Sequence, residues 1–133
     1  MEYALIHDLG ELYAGDTYIY DEEAVATKAE RERESMERFL SHLPMNARGR
    51  METLYHDYET KVDDEAKFVY ELDKIQPVLL IGSLDTKAWK DYGITKKKLL
   101  DIKIPKFSGK FGLEKFLTDY VDAAEEKGMF PET

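Results

Sequence analysis

Helical spacing of the apolar residues is the feature that most constrains the fold of this chain. Apolar residues recur three or four positions apart over most of its length, whereas the strict alternation of a half-buried β-strand is scarce. Gly15, Pro44 and Pro77 interrupt the pattern at points where helices are expected to end or bend. The sequence therefore predicts an all-α fold.

The pattern separates into a series of predicted helices. They cover residues 2–13, 21–42, 46–60, 63–79 and 113–127, with a loop at residues 14–21. Acidic residues begin the second and fourth helices, where negative charge suits the N-terminal end of the helix dipole. Pro77 is expected to kink or divide the fourth helix, because proline removes one backbone donor. After Gly82 the pattern weakens, and a lysine-rich stretch is expected to form a solvated face.

Length and charge exclude several classes of protein. The chain has 133 residues, 28 acidic against 19 basic side chains and no cysteine, so we expect one domain over residues 1–133 without disulfides or a thiolate metal site. The formal charge of -9 disfavours nucleic-acid binding, which relies on clustered lysine and arginine. The longest apolar run, residues 78–81, is too short to cross a bilayer, and the first residues do not resemble a signal peptide. We expect a soluble, cytoplasmic protein.

One cluster of chemically active residue types lies in the first predicted helix. His7 and Asp8 directly follow an apolar run, and Glu11 comes one turn later. Helical residues at these spacings share one side, so an imidazole and two carboxylates would converge there. Imidazole and carboxylate without thiolate are the ligands that a borderline divalent ion prefers. Taken alone, such a doublet more often marks a surface pair at a helix end.

Two further carboxylates interrupt the apolar stripes of other predicted helices. Asp73 lies on the ridge that contains Ala66 and Val69, and Glu32 stands where the stripe of the second helix needs an apolar residue. A carboxylate that points into a core must be paired, bound to a metal or neutralised. Glu32 has a simple partner in Lys28, four residues away, and Asp73 is followed by a lysine. Inward carboxylates from separate helices are also how helical metal enzymes build their sites, so both interpretations stay open.

Residues 4–16 have the sequence ALIHDLGELYAGD. A glutamate lies three residues after the His–Asp doublet, and a Gly–Asp pair ends eight residues after it. This segment resembles the motif of the HD-domain phosphohydrolases, in the version found in the 5′-deoxynucleotidases and their eukaryotic HD-domain relatives. The resemblance continues through K-x-x-R-E-x-x-x-M at residues 28–36 and through EAKFV and LDK within residues 65–74. The doublet alone is a weak signal, but the three blocks in this order and spacing form a specific match over roughly residues 4–82.

The resemblance implies roles for individual residues of the motifs. It implies a divalent metal (Mn, Co or similar) held by His7, Asp8 and Asp73. Glu11 would be the catalytic acid or base, and Asp16 would contact the sugar of a deoxynucleoside monophosphate. The implied activity is metal-dependent removal of the phosphate from (deoxy)nucleoside 5′-monophosphates.

For the fold, the resemblance implies an HD-domain helical bundle with core motifs over residues 4–82 and a C-terminal extension over residues 83–133. The family also has a ligand histidine on a helix upstream of the doublet, and the doublet here begins at residue 7. Without that helix, apolar residues of the first predicted helix would lack part of their cover. We therefore expect either a fragment of a longer protein or a short variant that completes its core as a homo-oligomer or with a partner.

Two alternative functions remain open from the sequence. One is a non-catalytic HD domain that binds a nucleotide or a protein partner, because the upstream histidine has no match here. The other is an HD phosphohydrolase with a different substrate, such as a cyclic nucleotide, a nucleoside triphosphate or guanosine tetraphosphate. Tetraphosphate hydrolysis is disfavoured, because those enzymes typically follow the doublet with an adjacent Glu–Asp pair and this chain has Glu11 followed by leucine.

Overall fold

The computed structural model describes residues 1–132, and over that range it contains helices, turns and loops but no β-strand. In chain order the elements are α1 (Glu2–Ile6), α2 (Glu11–Ala14), α3 (Glu22–Ser41), α4 (Met45–Glu59), α5 (Asp64–Leu84), α6 (Ala88–Asp91), α7 (Lys96–Lys103), a 3-10 turn (Ile104–Lys106) and α8 (Leu113–Glu126). The prediction of an all-α fold is confirmed. The chain forms two compact units, Met1–Ala66 and Lys67–Thr133, whose boundary falls within α5.

The first unit is built mainly on α3 and α4, whose predicted bounds agree with the structure to within about one residue. The side chain of Asp21 caps α3 by accepting a hydrogen bond from the Ala24 N–H at 3.0 Å. His42 is the C-cap of the same helix, and Pro44 is the residue before α4. The buried apolar residues of this unit are Ile6, Met36, Leu40, Tyr58 and Ala66.

The N-terminal segment forms two short helices, so the prediction of one helix over residues 2–13 is wrong. α1 ends at Ile6 and α2 begins at Glu11. Between them the backbone hydrogen bonds span three residues, as from the Glu11 N–H to the Asp8 carbonyl at 2.9 Å, which is the tighter winding of a 3-10 helix. Gly10 is buried there and packs against a tyrosine of α4, closer than an ordinary side chain would permit. Periodicity along the chain does not report such a contact.

The second unit contains most of α5 together with α6, α7 and α8. The predicted last helix over residues 113–127 is confirmed as α8. Two further helices, α6 and α7, lie in the region after Gly82 where the apolar pattern is weak. Thr95 caps α7, and its hydroxyl accepts a hydrogen bond from the Lys98 N–H at 3.1 Å. Trp89 of α6 is buried and stacks on Phe130, with ring centroids 4.7 Å apart. Helices of four and eight residues are too short for periodicity to predict.

The lysine-rich stretch only partly forms the solvated face that was predicted. Lys97 and Lys98 on α7 are exposed. Lys96 forms ion pairs with Asp122 at 2.8 Å and Glu125 at 2.6 Å, which join α7 to α8. Lys103 is buried, so one lysine of this stretch belongs to the interior.

α5 is continuous through Pro77, so the proline does not divide the helix. Its buried face carries Glu71 together with Ile75 and Val78, at the helical spacing of four and three residues. Glu71 is 1% exposed. One of its carboxylate oxygens accepts a hydrogen bond from the Ser108 N–H at 2.6 Å, and the other has no hydrogen-bond partner in the described part of the chain. The most buried carboxylate of α5 is therefore Glu71, which the apolar pattern at positions 75 and 78 could have revealed.

Apolar cover of α1 is uneven. Ile6 is buried, whereas Leu5 is 73% exposed. The expectation of incomplete cover therefore holds for one side of this short helix.

Among residues 1–132, none of the helices is both long enough and apolar enough to pass through a bilayer.

Candidate functional site

The His7 ring is held in one orientation by its surroundings. Its Nδ1–H donates a hydrogen bond to the Ala4 carbonyl at 2.7 Å, because a carbonyl oxygen can only accept. The ring also lies edge-on to buried Tyr58, with centroids 5.9 Å apart. The remaining nitrogen, Nε2, lies 3.1 Å from the Asp8 carboxylate. A proton on Nε2 or a bound cation would bridge the lone pairs of this nitrogen and the carboxylate oxygen.

A tight turn separates Asp8 of the doublet from Glu11. Asp8 and Glu11 are three residues apart in this turn, and side chains at that spacing eclipse in 3-10 geometry. The negative charge of Asp8 acts on the Glu11 carboxyl, so the two carboxylates lie near each other. In a regular α-helix they would be offset by part of a turn.

An acidic cluster surrounds Glu11. The pKa of its carboxyl is raised from 4.5 to about 7, chiefly because the group is partly buried. The negative charges of Asp8, Asp16 and Glu32 raise this pKa as well, and Lys28 opposes them. A carboxyl that titrates near neutrality can both accept and release a proton at pH 7. The structure thus gives Glu11 a property suited to the acid or base role predicted for it.

Glu32 and Lys28 form the ion pair that was predicted from their spacing. The Lys28 Nζ lies 3.6 Å from a Glu32 carboxylate oxygen, and the Glu32 side chain is 14% exposed. This pair brings one positive charge to the edge of the acidic cluster.

Asp16 lies in the loop between α2 and α3. Gly15 precedes it with φ 74° and ψ 170°, a conformation that is essentially restricted to glycine. The Asp16 side chain is exposed, and one of its oxygens accepts a hydrogen bond from the Thr17 N–H at 2.8 Å. The other oxygen can therefore accept a hydroxyl hydrogen from a ligand.

Arg31 fixes this loop to α3. Its guanidinium donates hydrogen bonds to the carbonyls of Ala14 at 3.3 Å and Ala24 at 2.8 Å, and to the hydroxyls of Thr17 at 3.0 Å and Thr27 at 3.1 Å. The motif at residues 28–36 contains this arginine, but its role did not follow from the sequence because half of its partners are backbone oxygens.

Asp73 belongs to the second unit, on α5. Its carboxylate accepts a hydrogen bond from the Lys74 Nζ at 2.7 Å, which is the ion pair that the sequence offered as one interpretation. The Asp73 side chain is 28% exposed, so it does not point fully into a core. Its role as a metal ligand beside His7 and Asp8 stays a prediction.

Replacing Gly10 by alanine is expected to destabilise the first unit by about 1–3 kcal/mol, the usual cost of overpacking. An added Cβ would clash with the Tyr55 hydroxyl and lie 3.3 Å from the Glu32 Cβ. Removing that hydroxyl in the double variant Gly10→Ala, Tyr55→Phe should restore part of the loss. Chemical denaturation of the four members of this double-mutant cycle measures the coupling.

Gly49 provides a matched control for this prediction. It lies inside α4, and a Cβ there would meet nothing within 4 Å. Gly49→Ala should therefore stabilise the protein by about 0.5–1 kcal/mol, since alanine is the better helix former. Equal effects of alanine at positions 10 and 49 would show that the close packing of Gly10 is unimportant.

The chain is similar to several known proteins. A family model described as "HD domain" matches residues 1–112. Relatives described as 5′-deoxynucleotidase HDDC2 from Mus musculus and Homo sapiens are each 37% identical to the chain over 76 residues, which is 57% of this chain. That match spans only 38% and 37% of the two relatives, so the chain corresponds to less than two fifths of their length.

A solved structure also resembles the chain. It is described as a predicted metal-dependent phosphohydrolase from Magnetospirillum magnetotacticum MS-1. The two share 30% sequence identity with a TM-score of 0.76, and the alignment covers 98% of this chain and 67% of the other.

Proposed function

Because the chain belongs to the HD domain family, we propose that it is a divalent-metal-dependent phosphohydrolase that removes the phosphate from deoxynucleoside 5′-monophosphates. The observation that carries this proposal is the oriented His7 ring, whose Nε2 lies 3.1 Å from the Asp8 carboxylate. Glu11 follows His7 by four residues in the sequence. The names of the relatives, a 5′-deoxynucleotidase and a metal-dependent phosphohydrolase, support the same reaction class.

The donor set fits a borderline divalent ion. His7 offers a nitrogen whose tautomer is fixed by a backbone carbonyl, an arrangement common among metal-binding histidines. Asp8 and Asp73 would complete the set with carboxylate oxygens, and the described chain has no thiolate to favour a softer ion. Mn²⁺ or Co²⁺ is therefore the proposed metal. When bound, such an ion polarises the phosphoryl group, offsets its negative charge and activates water near neutral pH.

Glu11 handles the proton in this proposal. With a pKa near neutrality in the metal-free protein, its carboxylate can take a proton from the attacking water and its carboxyl can donate one to the leaving sugar oxygen. The base form of Glu11 would be favoured beside a bound divalent ion, because a positive charge stabilises the carboxylate. The acidic cluster around Glu11 also disfavours a phosphate ligand unless a cation is present.

Asp16 is the proposed contact to the sugar. The Thr17 N–H occupies one carboxylate oxygen, and the Arg31 bonds hold the loop. The other oxygen can accept a hydrogen bond from the 3′-hydroxyl of a deoxyribose.

A homo-oligomer and a cytoplasmic location remain predictions from the sequence.

The test is phosphate release by the purified protein from deoxynucleoside 5′-monophosphates, with Mn²⁺ or Co²⁺ added or with excess EDTA. We expect turnover that depends on the metal, together with about one bound ion per chain in mass spectrometry. Metal-independent turnover would contradict the mechanism. Absence of both bound metal and turnover would instead favour a non-catalytic HD domain that binds nucleotides or partners.

A further inference from the structure

Two tyrosines follow Asp16 in the loop between α2 and α3. Tyr18 and Tyr20 pack edge to face, with ring centroids 5.2 Å apart and an angle of 64° between the rings. Tyr20 is half-buried, and burial raises the pKa of its hydroxyl to about 12, so this ring is anchored in the protein. Tyr18 is 53% exposed. The inner ring therefore supports the outer one while more than half of the outer side chain stays accessible.

The backbone around Tyr18 is held on both sides. Before it, the Thr17 hydroxyl accepts a hydrogen bond from Arg31 at 3.0 Å. After it, the Asp21 N–H donates a hydrogen bond to the Tyr18 carbonyl at 3.0 Å, and the Asp21 side chain caps α3. An exposed aromatic residue on such a fixed segment loses little conformational entropy when it binds a ligand.

The spacing between Asp16 and Tyr18 suits a nucleoside. Two residues of extended chain span up to about 7 Å, which is comparable with the offset between the sugar and the far side of its base. Asp16 is also close enough to Glu11 for its charge to affect that carboxyl, so the loop borders the acidic cluster. A ligand whose phosphate lies at the cluster and whose sugar reaches Asp16 would carry its base toward Tyr18.

We propose that Tyr18 binds the nucleobase of the substrate by aromatic stacking, with Tyr20 as its support and Asp16 as the contact to the sugar. This inference rests on the proposed function and adds to it a specificity-determining residue. Stacking of a base on an aromatic side chain changes affinity by about 5- to 100-fold and works for every base, most strongly for purines.

The experiment compares two ligands that differ only in the base. Deoxyadenosine 5′-monophosphate carries a purine, and 2-deoxyribose 5-phosphate lacks it. In the Glu11→Gln background, in which turnover is lost, calorimetric titration in the presence of Mn²⁺ should show that Tyr18→Ala weakens nucleotide binding by about 5- to 100-fold. Binding of the sugar phosphate should stay unchanged. Tyr18→Phe should bind both ligands like the unmodified protein, and KM for the nucleotide should rise in Tyr18→Ala while kcat stays the same.

Tyr92→Ala is the matched control, because Tyr92 is 72% exposed and lies in the second unit. This variant should bind both ligands normally. An equal loss of affinity for both ligands in Tyr18→Ala would overturn the inference, since the residue would then only order the loop. Failure of Tyr18→Phe to bind normally would overturn it too.

The two proposals can fail separately in this experiment. An unmodified protein that binds and hydrolyses both ligands equally well would overturn the role of Tyr18 and leave the phosphohydrolase activity intact. A protein that binds neither ligand and hydrolyses neither would overturn both proposals.

Discussion

Replacing Glu11 by glutamine is expected to lower the rate of phosphate release by about 100- to 10,000-fold, the usual contribution of a general acid or base. Glutamine has nearly the same shape but cannot transfer a proton at neutral pH. Phosphate release at saturating metal measures the loss. Because the substitution leaves the proposed ligands His7, Asp8 and Asp73 in place, metal binding should persist. Unchanged turnover would show that Glu11 does not handle the proton.

The same substitution is expected to stabilise the metal-free protein at pH 8. Folding raises the pKa of Glu11 from 4.5 to about 7, so the folded state holds the proton more tightly than the unfolded state does. The free energy of unfolding therefore falls as pH rises from about 4.5 to about 7, and the full penalty persists above that range. Because the group is partly open to water, screening reduces the expected gain to about 1 kcal/mol.

Urea denaturation in EDTA at pH 8 and pH 4 measures this effect. Glu11→Gln should be more stable than the unmodified protein at pH 8, and the difference should disappear at pH 4. Glu34→Gln is the matched control, since Glu34 is exposed on α3 of the same unit. A gain in both variants, or in neither, would contradict the raised pKa of Glu11 in the folded protein.

Replacing Asp8 by asparagine is expected to weaken Mn²⁺ binding by at least about 100-fold. Loss of a group that only supports a metal ligand already lowers metal affinity by about 10- to 100-fold. Asp8 is proposed to contact the ion directly, so its loss should have a larger effect. The His7 nitrogen would then face a neutral amide in place of a carboxylate. Calorimetric titration with Mn²⁺ measures the affinity, and activity should return only at higher metal concentration.

Asp91→Asn is the control for the metal prediction, because Asp91 is exposed on α6. It should bind Mn²⁺ like the unmodified protein. The Asp8 side chain is 58% exposed, so its substitution should leave thermal unfolding of the metal-free protein nearly unchanged. Normal Mn²⁺ affinity in Asp8→Asn would place the ion elsewhere and remove the basis for the proposed metal site.

Long amphipathic helices were predictable from the sequence because their apolar spacing persists over several turns. α3 and α4 agree with prediction to within about one residue, and the cap at Asp21 follows from its position before an acidic first turn. Glu11 and its neighbours in the acidic cluster were predictable through the HD motif, since three separated blocks of sequence constrain one another. The Lys28–Glu32 pair required only the rule for helical neighbours four residues apart.

The remaining features depend on contacts between residues distant in sequence. The break between α1 and α2 accompanies the packing of Gly10 on Tyr55, 45 positions away in the chain. The hydrogen bond to buried Glu71 comes from Ser108, whose N–H lies in a loop beyond α7. Neither contact leaves a periodic trace along the sequence, so reading one segment at a time could not reveal them.

Pro77 lies in the interior of α5, four residues after Asp73. A proline has no N–H, so the Asp73 carbonyl does not receive the α-helical hydrogen bond that another residue at position 77 would donate. The helix thus has a mechanically weak point one turn beyond the carboxylate proposed to bind the metal. Helices bend most readily where such a bond is missing. A bend of α5 at this point would therefore break no hydrogen bond between residues 77 and 73.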